Sequence, residues 1–432
     1  MSRKTIQIKE GIDLHVINTN KFKTNVMAIF LTTKLTRENV TKEALIPAVL
    51  RLGNNQIKTQ KELNQKLEEM YGAGFNCGIE KRGDNHVLKF YIQSVNDEYL
   101  LNKEKIFLQS LNLLVDIVFN PLVENGAFNK KYVEGEKENL KRIIEGRIDN
   151  KASYAYSRCI EEMYKNDPYG LYEYGYLEDL LGIDETNLYK YYEELIQKCK
   201  IDIFVSGKFD NENEITEGLN KNESFEKLSA RQAEFVGNSK QVVGDVEIKE
   251  EKESMDVAQG KIVIGLSIKN GEKLKEEAIN LYNAILGGGA NSKMFQNVRE
   301  KASLAYTAGS RYLKVKNNIF INCGIDINNY EKALAIIKEQ LEDMEKGNFS
   351  IEDINNAKEL LLSSLNSLED EQINEISYYL TKELLNDNKT IEETEKNIKA
   401  VQKDEIIEVA KLIRINTIFT LYNEGGGLNE GN

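Results

Sequence analysis

Two side chains within Leu286 to Tyr306, LGGGANSKMFQNVREKASLAY, have the types and spacing to grip a polar substrate. Arg299 offers a planar guanidinium fork. Tyr306, seven residues on, offers a phenol hydroxyl. Both donate hydrogen bonds to a carbonyl oxygen or a carboxylate. The elements that must position them surround the pair. Gly287, Gly288 and Gly289 allow positive φ and close backbone approach, and Asn291 or Ser292 is placed to cap a helix. Met294, Phe295 and Val298 recur at helical spacing as its buried face. Arg299 then falls near the end of that helix, and Tyr306 where the pattern turns to a strand. From spacing alone the plain structural role is the favoured one, with Arg299 in a surface ion pair and Tyr306 half-buried in the core.

The run LGGGANSKMFQNVREKASLAYTAGS resembles, in order and without gaps, the C-terminal-half signature of the pitrilysin/insulinase superfamily of zinc peptidases, in the mitochondrial-processing-peptidase-like group. The resemblance implies that Arg299 and Tyr306, with Gly287, Gly288 and Gly289, hold a substrate backbone beside zinc. An active member carries H-x-x-E-H on a helix of its first half. Two imidazoles one turn apart bind the metal, the glutamate polarises water, and a distant glutamate completes the shell. Here the matching segment is ALIPAVLRLGNN, with Leu45, Ala48 and Val49 at about the motif positions. The distal region, EKENLKRIIEGRIDNKASYAY, puts Arg142 or Ile143 near the expected glutamate, with Glu138 and Glu145 close by. His15 and His86 are the chain's only histidines, so no slip of register restores an imidazole pair.

Other chemistries find less support. Cys77, Cys159, Cys199 and Cys323 form no C-x-x-C pair and read as reduced structural thiols of a cytoplasmic protein. Neither a G-x-S-x-G elbow nor a G-x-x-x-x-G-K-[ST] phosphate loop occurs. A net charge of −13 argues against nucleic acid or an anionic membrane as main partner. No apolar run approaches the ~20 residues of a spanning helix, and MSRKTIQIKEGIDLHVI lacks a signal-peptide core. The chain therefore resembles the non-catalytic subunits of heterodimeric members. That resemblance implies no catalytic residue and no metal here, zinc on a partner homologue, peptide or unfolded polypeptide as ligand, and a bacterial setting. The segment KEALIPAVL is similar to the inactive member of a bacterial pair associated with modification of elongation factor P. A stand-alone peptide-binding scaffold and an active peptidase with a non-standard site are the other readings.

At 432 residues the chain has room for two cores. Strand patterns at 5–9, 12–18, 25–33, 74–80, 86–94 and 201–207 are interleaved with helical ones at 42–52, 59–70, 98–118, 125–147, 151–165, 176–182 and 184–198. Pro47 is expected to end or kink the first helix. Residues 208–255, polar and weakly periodic, read as a linker. The plan then begins again, with strands at 261–268, 304–313, 318–325 and 417–422. Helical patterns lie at 273–286, 292–301, 329–346, 350–365, 370–386 and 403–412. The halves can be laid on each other over some forty residues at an offset of 231, with Leu67 on Val298, Phe75 on Tyr306 and Phe90 on Ile321. The expected fold is α+β: two duplicated domains, 1–207 and 256–432, each a mainly antiparallel sheet flanked by helices. The superfamily resemblance adds that they form one half of a clamshell. The terminal GGGLNEGN reads as a flexible tail.

Overall fold

The computed structural model describes residues 2–102, 104–237 and 247–424; the 425–432 tail lies outside them. The alternating and apolar runs of the first half form six strands: β1 (Ser2–Lys9), β2 (Ile12–Asn18), β3 (Thr24–Lys34), β4 (Gly74–Arg82), β5 (Asn85–Val95) and β6 (Lys200–Gly207). They make one sheet in the order β1-β2-β6-β3-β5-β4. The second half supplies β7 (Lys249–Ser254), β8 (Gly260–Ile268), β9 (Ala305–Leu313), β10 (Asn318–Ile325) and β11 (Ile413–Tyr422), ordered β9-β10-β8-β11-β7. Leaving β1 aside, β2-β6-β3-β5-β4 and β7-β11-β8-β10-β9 are the same sheet. In both, only the outermost pair (β2 with β6, β7 with β11) runs parallel. The fold is α+β, built twice.

Helices follow the same plan. In the first half α1 (Val40–Leu50) follows β3, α2 (Gln60–Glu69) leads into β4, and α3 (Ile106–Phe119) follows β5. After α4 (Lys130–Glu145) and α5 (Lys151–Met163), α6 (Glu185–Lys198) leads into β6 and α7 (Asn213–Lys221) follows it. In the second half α8 (Glu276–Gly287) follows β8, a π-helix (Met294–Lys301) leads into β9, and α9 (Tyr330–Lys346) follows β10. After α10 (Ile351–Leu368), α11 (Gln372–Leu384) and α12 (Ile391–Ala400), α13 (Lys403–Leu412) leads into β11.

Packing divides the chain differently from the expected 1–207, 208–255 and 256–432. One unit comprises Met1–Glu145, Leu171–Gly237 and Asp370–Leu384, and the other Gly146–Gly170, Asn238–Glu369 and Leu385–Asn432. Each half thus gives one helix to the other half's unit. A sheet has two faces, and the helices of its own half cover one. In the second unit α5 covers the other face with apolar side chains: Cys159, Ile160 and Met163 cluster with Val263, Phe320 and Phe419. In the first unit α11 buries Ile376, Tyr379, Leu380 and Leu384 and adds polar ties. Buried Gln372 donates from Nε2 to the Ser206 carbonyl (2.9 Å), and Arg82 donates from Nη2 to the Ser377 hydroxyl (2.7 Å). The expected linker is also more ordered than its polarity suggested. It contains α7 with buried Ile215 and Leu219, then Phe225 and Leu228 in the first core, and β7 as a strand of the second sheet.

Candidate functional site

Helix α8 delivers the glycine run by crossing β9 at very short range. A Cβ on buried Gly287 would lie 2.3 Å from the Ser310 backbone nitrogen and 2.8 Å from the Gly309 carbonyl carbon, so only glycine fits. A Cβ on exposed Gly289 would meet only Leu360 Cδ2, at 3.6 Å. Gly288 caps the helix, donating its N–H to the Ala284 carbonyl. Gly287→Ala is therefore expected to cost the second unit about 1–3 kcal/mol as an overpacked contact, and Gly289→Ala almost nothing. Parallel denaturant melts of the two variants check this.

The turn after the glycines is closed by Ser292. Its hydroxyl donates to the Gly289 carbonyl (2.6 Å) and accepts from the Phe295 N–H (3.4 Å), whereas Asn291 is exposed. The following residues wind as a π-helix, with Ala302 N–H bonding to Asn297 five residues back (3.2 Å). Single π turns are rare and concentrate at functional sites. Met294 and Val298 are buried as expected, but Phe295 is only half-buried and lies under the Arg299 guanidinium, 4.5 Å from ring centroid to Cζ. Arg299 makes a long contact with Glu300 (3.6 Å) and stays exposed.

Ser303 then takes a left-handed backbone (φ 52°) and turns the chain into β9. The same corner occurs in the first half, where Gly72 has φ 73°. Leu304 N–H bonds to the Val298 carbonyl as Ala73 N–H bonds to Leu67. Phe75 and Tyr306 are each the second residue of the strand that follows. There the copies part. Phe75 pairs regularly with Ile92 and packs on the core. Tyr306 sits on a bulge between Ala305, opposite Ile325, and Thr307, opposite Gly324, and is 60% exposed. Bulges re-aim side chains and are common beside active sites. The half-buried tyrosine of the plain structural reading is not what is found. No described hydrogen bond joins Arg299 to Tyr306; what they share is one corner and an exposed position.

In the first unit, the zinc-motif positions of α1 offer nothing to a metal. Leu45 is fully buried and Val49 nearly so, both within the core, and Ala48 is half-buried. Pro47 neither ends nor visibly interrupts the helix, which continues to Leu50. On α4, which packs against α1, Glu138, Arg142, Ile143 and Glu145 are all exposed. Both histidines are buried, each with one ring nitrogen on a carboxylate. His86 Nδ1 pairs with buried Glu43 of α1 (2.7 Å), whose other oxygen accepts from the Tyr191 hydroxyl (2.5 Å). His15 Nε2 pairs with buried Asp202 (2.9 Å), and its ring stacks on Phe204 at 4.2 Å. Among the described residues no three His, Cys, Asp or Glu side chains are grouped to hold a metal. The residues present do not fit zinc. The four cysteines are free thiols, and burial pushes Cys77 up to about 11 and Cys159, Cys199 and Cys323 to about 12, so none is a ready nucleophile. No helix among the described residues is long and apolar enough to cross a membrane.

A mixed sheet built twice in this order, with apolar side chains at Leu45, Ala48 and Val49, is the fold of an M16 peptidase-like protein, and the chain belongs to the M16 superfamily. Residues 182–361 match the family described as Peptidase M16 inactive domain. The chain is 34% identical over 418 residues, 96% of its length and 97% of the relative's, to the Bacillus subtilis (strain 168) protein named Probable inactive metalloprotease YmfF. It is also 25% identical over 313 residues, covering 70% of this chain and 68% of the other, to that organism's Uncharacterized zinc protease YmfH. A conserved protein from Enterococcus faecalis V583, known as a crystal structure, superposes with a TM-score of 0.87 at 28% identity, over 98% of this chain and 99% of that one.

Proposed function

We propose that this chain is a non-hydrolytic subunit that binds peptide and pairs with a zinc-bearing M16 homologue. The observation that carries the reading is an asymmetry within the chain. The 286–306 corner keeps two exposed donors on a π turn and a bulge, while Leu45, Ala48 and Val49 fill the zinc helix with apolar side chains. Donors that grip a peptide backbone contribute to hydrolysis only beside a group that activates water, and in this reading that group comes from the partner. Bacillus subtilis has both a relative named as inactive and one named as a zinc protease, which is what such a pairing needs.

In this reading Arg299 and Tyr306 donate to carbonyl oxygens of an extended substrate, with Gly288 and Gly289 leaving room for its backbone, in the cytoplasm of a bacterium. Affinity purification of the tagged chain from its own cells tests the pairing. A zinc-bearing homologue is expected in near-equal amount. Recovery of the chain alone, or only with unrelated peptides, would favour a stand-alone scaffold. The isolated chain is further expected to hold no stoichiometric zinc after dialysis at neutral pH, because no helix presents two imidazoles one turn apart. Metal analysis giving about one tightly bound zinc per chain would overturn this and point to an active enzyme with an unfamiliar site.

A further inference from the structure

A cavity of about 510 Å³ opens on the second unit beside α9, where Tyr282, Leu341, Ala410 and Ile413 make apolar walls and Glu342, Glu345, Lys338 and Arg414 bring charges of both signs to the rim. Tyr282 is fully buried, and burial together with Glu345 pushes its phenol well up, so it stays a neutral donor. This volume accommodates one or two large side chains.

Its identity comes from the duplicated fold. The cavity lies between α9, α13 and the first residues of β11. In the first unit the equivalent place lies between α3, α6 and the first residues of β6, and there it is filled by the chain itself. A short helix at Glu223–Glu226 packs on α3 and drives Phe225, fully buried, against Phe119 with ring centroids 6.4 Å apart. Leu228 follows into the core, and the Arg231 guanidinium donates to the Ile196 carbonyl at the end of α6. Asp116 on the outer face of α3 accepts from Asn222 Nδ2 (3.2 Å) and the Ser224 hydroxyl (3.3 Å). Glu234 N–H bonds to the Lys198 carbonyl (2.7 Å), completing a strap across the groove.

We propose that the α9 cavity is a docking groove for an extended segment of another polypeptide, one with a bulky apolar anchor flanked by polar hydrogen-bonding groups, as in the strap of the first unit. The walls repeat the apolar floor that takes Phe225 and Leu228 in the first unit. On α9 the rim carboxylates Glu342 and Glu345 can accept from the segment as Asp116 does on α3, and Lys338 and Arg414 beside them can donate to it. Helix-and-groove copies of this kind share backbone geometry, so a segment that suits one suits the other in outline. The groove does not involve Arg299 or Tyr306, and the proposal stands whether or not the chain pairs with a peptidase.

The probe is the chain's own strap, a fluorescein-labelled peptide of sequence NESFEKLSAR (residues 222–231), titrated against the full-length protein by anisotropy. Saturable binding is expected. Ala410→Trp, which fills the cavity, and Leu341→Glu, which charges its wall, are each expected to weaken binding at least tenfold; because Ala410 belongs to the second core and Leu341 packs on it, each variant is first checked for cooperative melting. A peptide with Phe→Ala at its anchor should weaken to the same degree. A benzophenone at the Phe position should crosslink to the Leu341 or Ile413 region, a readout that stands even if a variant fails to fold. Absence of saturable binding, binding indifferent to both variants, or crosslinks confined to α3 would each overturn the proposal.

Discussion

Arg299→Ala, in a pair reconstituted from this chain and the zinc-bearing M16 homologue proposed as its partner, is expected to lower kcat/KM for peptide cleavage by about ten- to hundredfold. Tyr306→Phe should fall in the same range. A pre-positioned donor beside a reacting carbonyl contributes roughly 3–4 kcal/mol in a dry site, and the expected loss corresponds to about 1.4–2.7 kcal/mol. The smaller figure reflects the exposure of both groups in the isolated chain, where water competes for them. Folding should be nearly untouched. Arg299 gives up a face-on contact with Phe295 worth about 0.5–1 kcal/mol and an exposed pair with Glu300 worth at most about 1 kcal/mol. Tyr306→Phe removes one hydroxyl from an exposed ring. Cleavage unchanged in both variants would return the corner to a structural role.

The corner was legible in the sequence because its signals are local. Glycines, a capping serine and an apolar pair at spacing four fix a short helix wherever they occur, and the offset of 231 holds from Leu67 and Val298 to Phe75 and Tyr306. It fails one element later. The β4–β5 turn uses two residues, Gly83 and Asp84, whereas β9–β10 uses four, Lys314–Asn317. Strand β10 is thereby displaced by two residues, so Phe90 corresponds to Cys323 and not Ile321. A two-residue slip keeps every side chain on its face, which is why the apolar pattern gave no warning. Helix α12 lies where the sequence pattern predicts no helix, although Thr390 and Glu393 form a full capping box, the signal that places Thr59 ahead of α2. The bulge at Tyr306 and the π winding are departures from regular ladders and leave no periodic trace. Neither does the exchange of α5 and α11: amphipathic periodicity says which face of a helix is buried, not whose sheet it covers.

What holds the first unit's sheet together internally yields the largest stability effect expected. Asp202, fully buried on β6, takes a hydrogen bond from His15 Nε2 at 2.9 Å and from Lys200 Nζ at 2.8 Å, and Lys200 also reaches Asp13 at 2.6 Å. Burial pushes the Asp202 carboxyl up, but the His15 hydrogen bond and the Lys200 charge outweigh it and hold it below its ordinary range. Burial pulls Lys200 down, and the Asp202 and Asp13 carboxylates more than restore it, leaving it raised. Asp202→Ala would leave Lys200 with Asp13 alone and His15 without its acceptor, the case of a buried pair broken from one side. The expected cost is about 3–5 kcal/mol, read from denaturant unfolding at neutral pH. Asp202→Asn keeps an acceptor and should cost less. The pH dependence follows from the directions of the shifts. A depressed carboxyl stabilises the fold above its unfolded value of about 3.9 and ceases to do so as pH falls through its folded value. A raised lysine stabilises below its unfolded value of about 10.4 and is lost as pH rises through its folded value. The network therefore contributes fully between those limits, and stability should drop below about pH 4 more steeply in the wild type than in Asp202→Asn. An Asp202→Ala protein within about 1 kcal/mol of wild type, or identical acid limbs for wild type and Asp202→Asn, would show that the pair contributes no more than a surface contact.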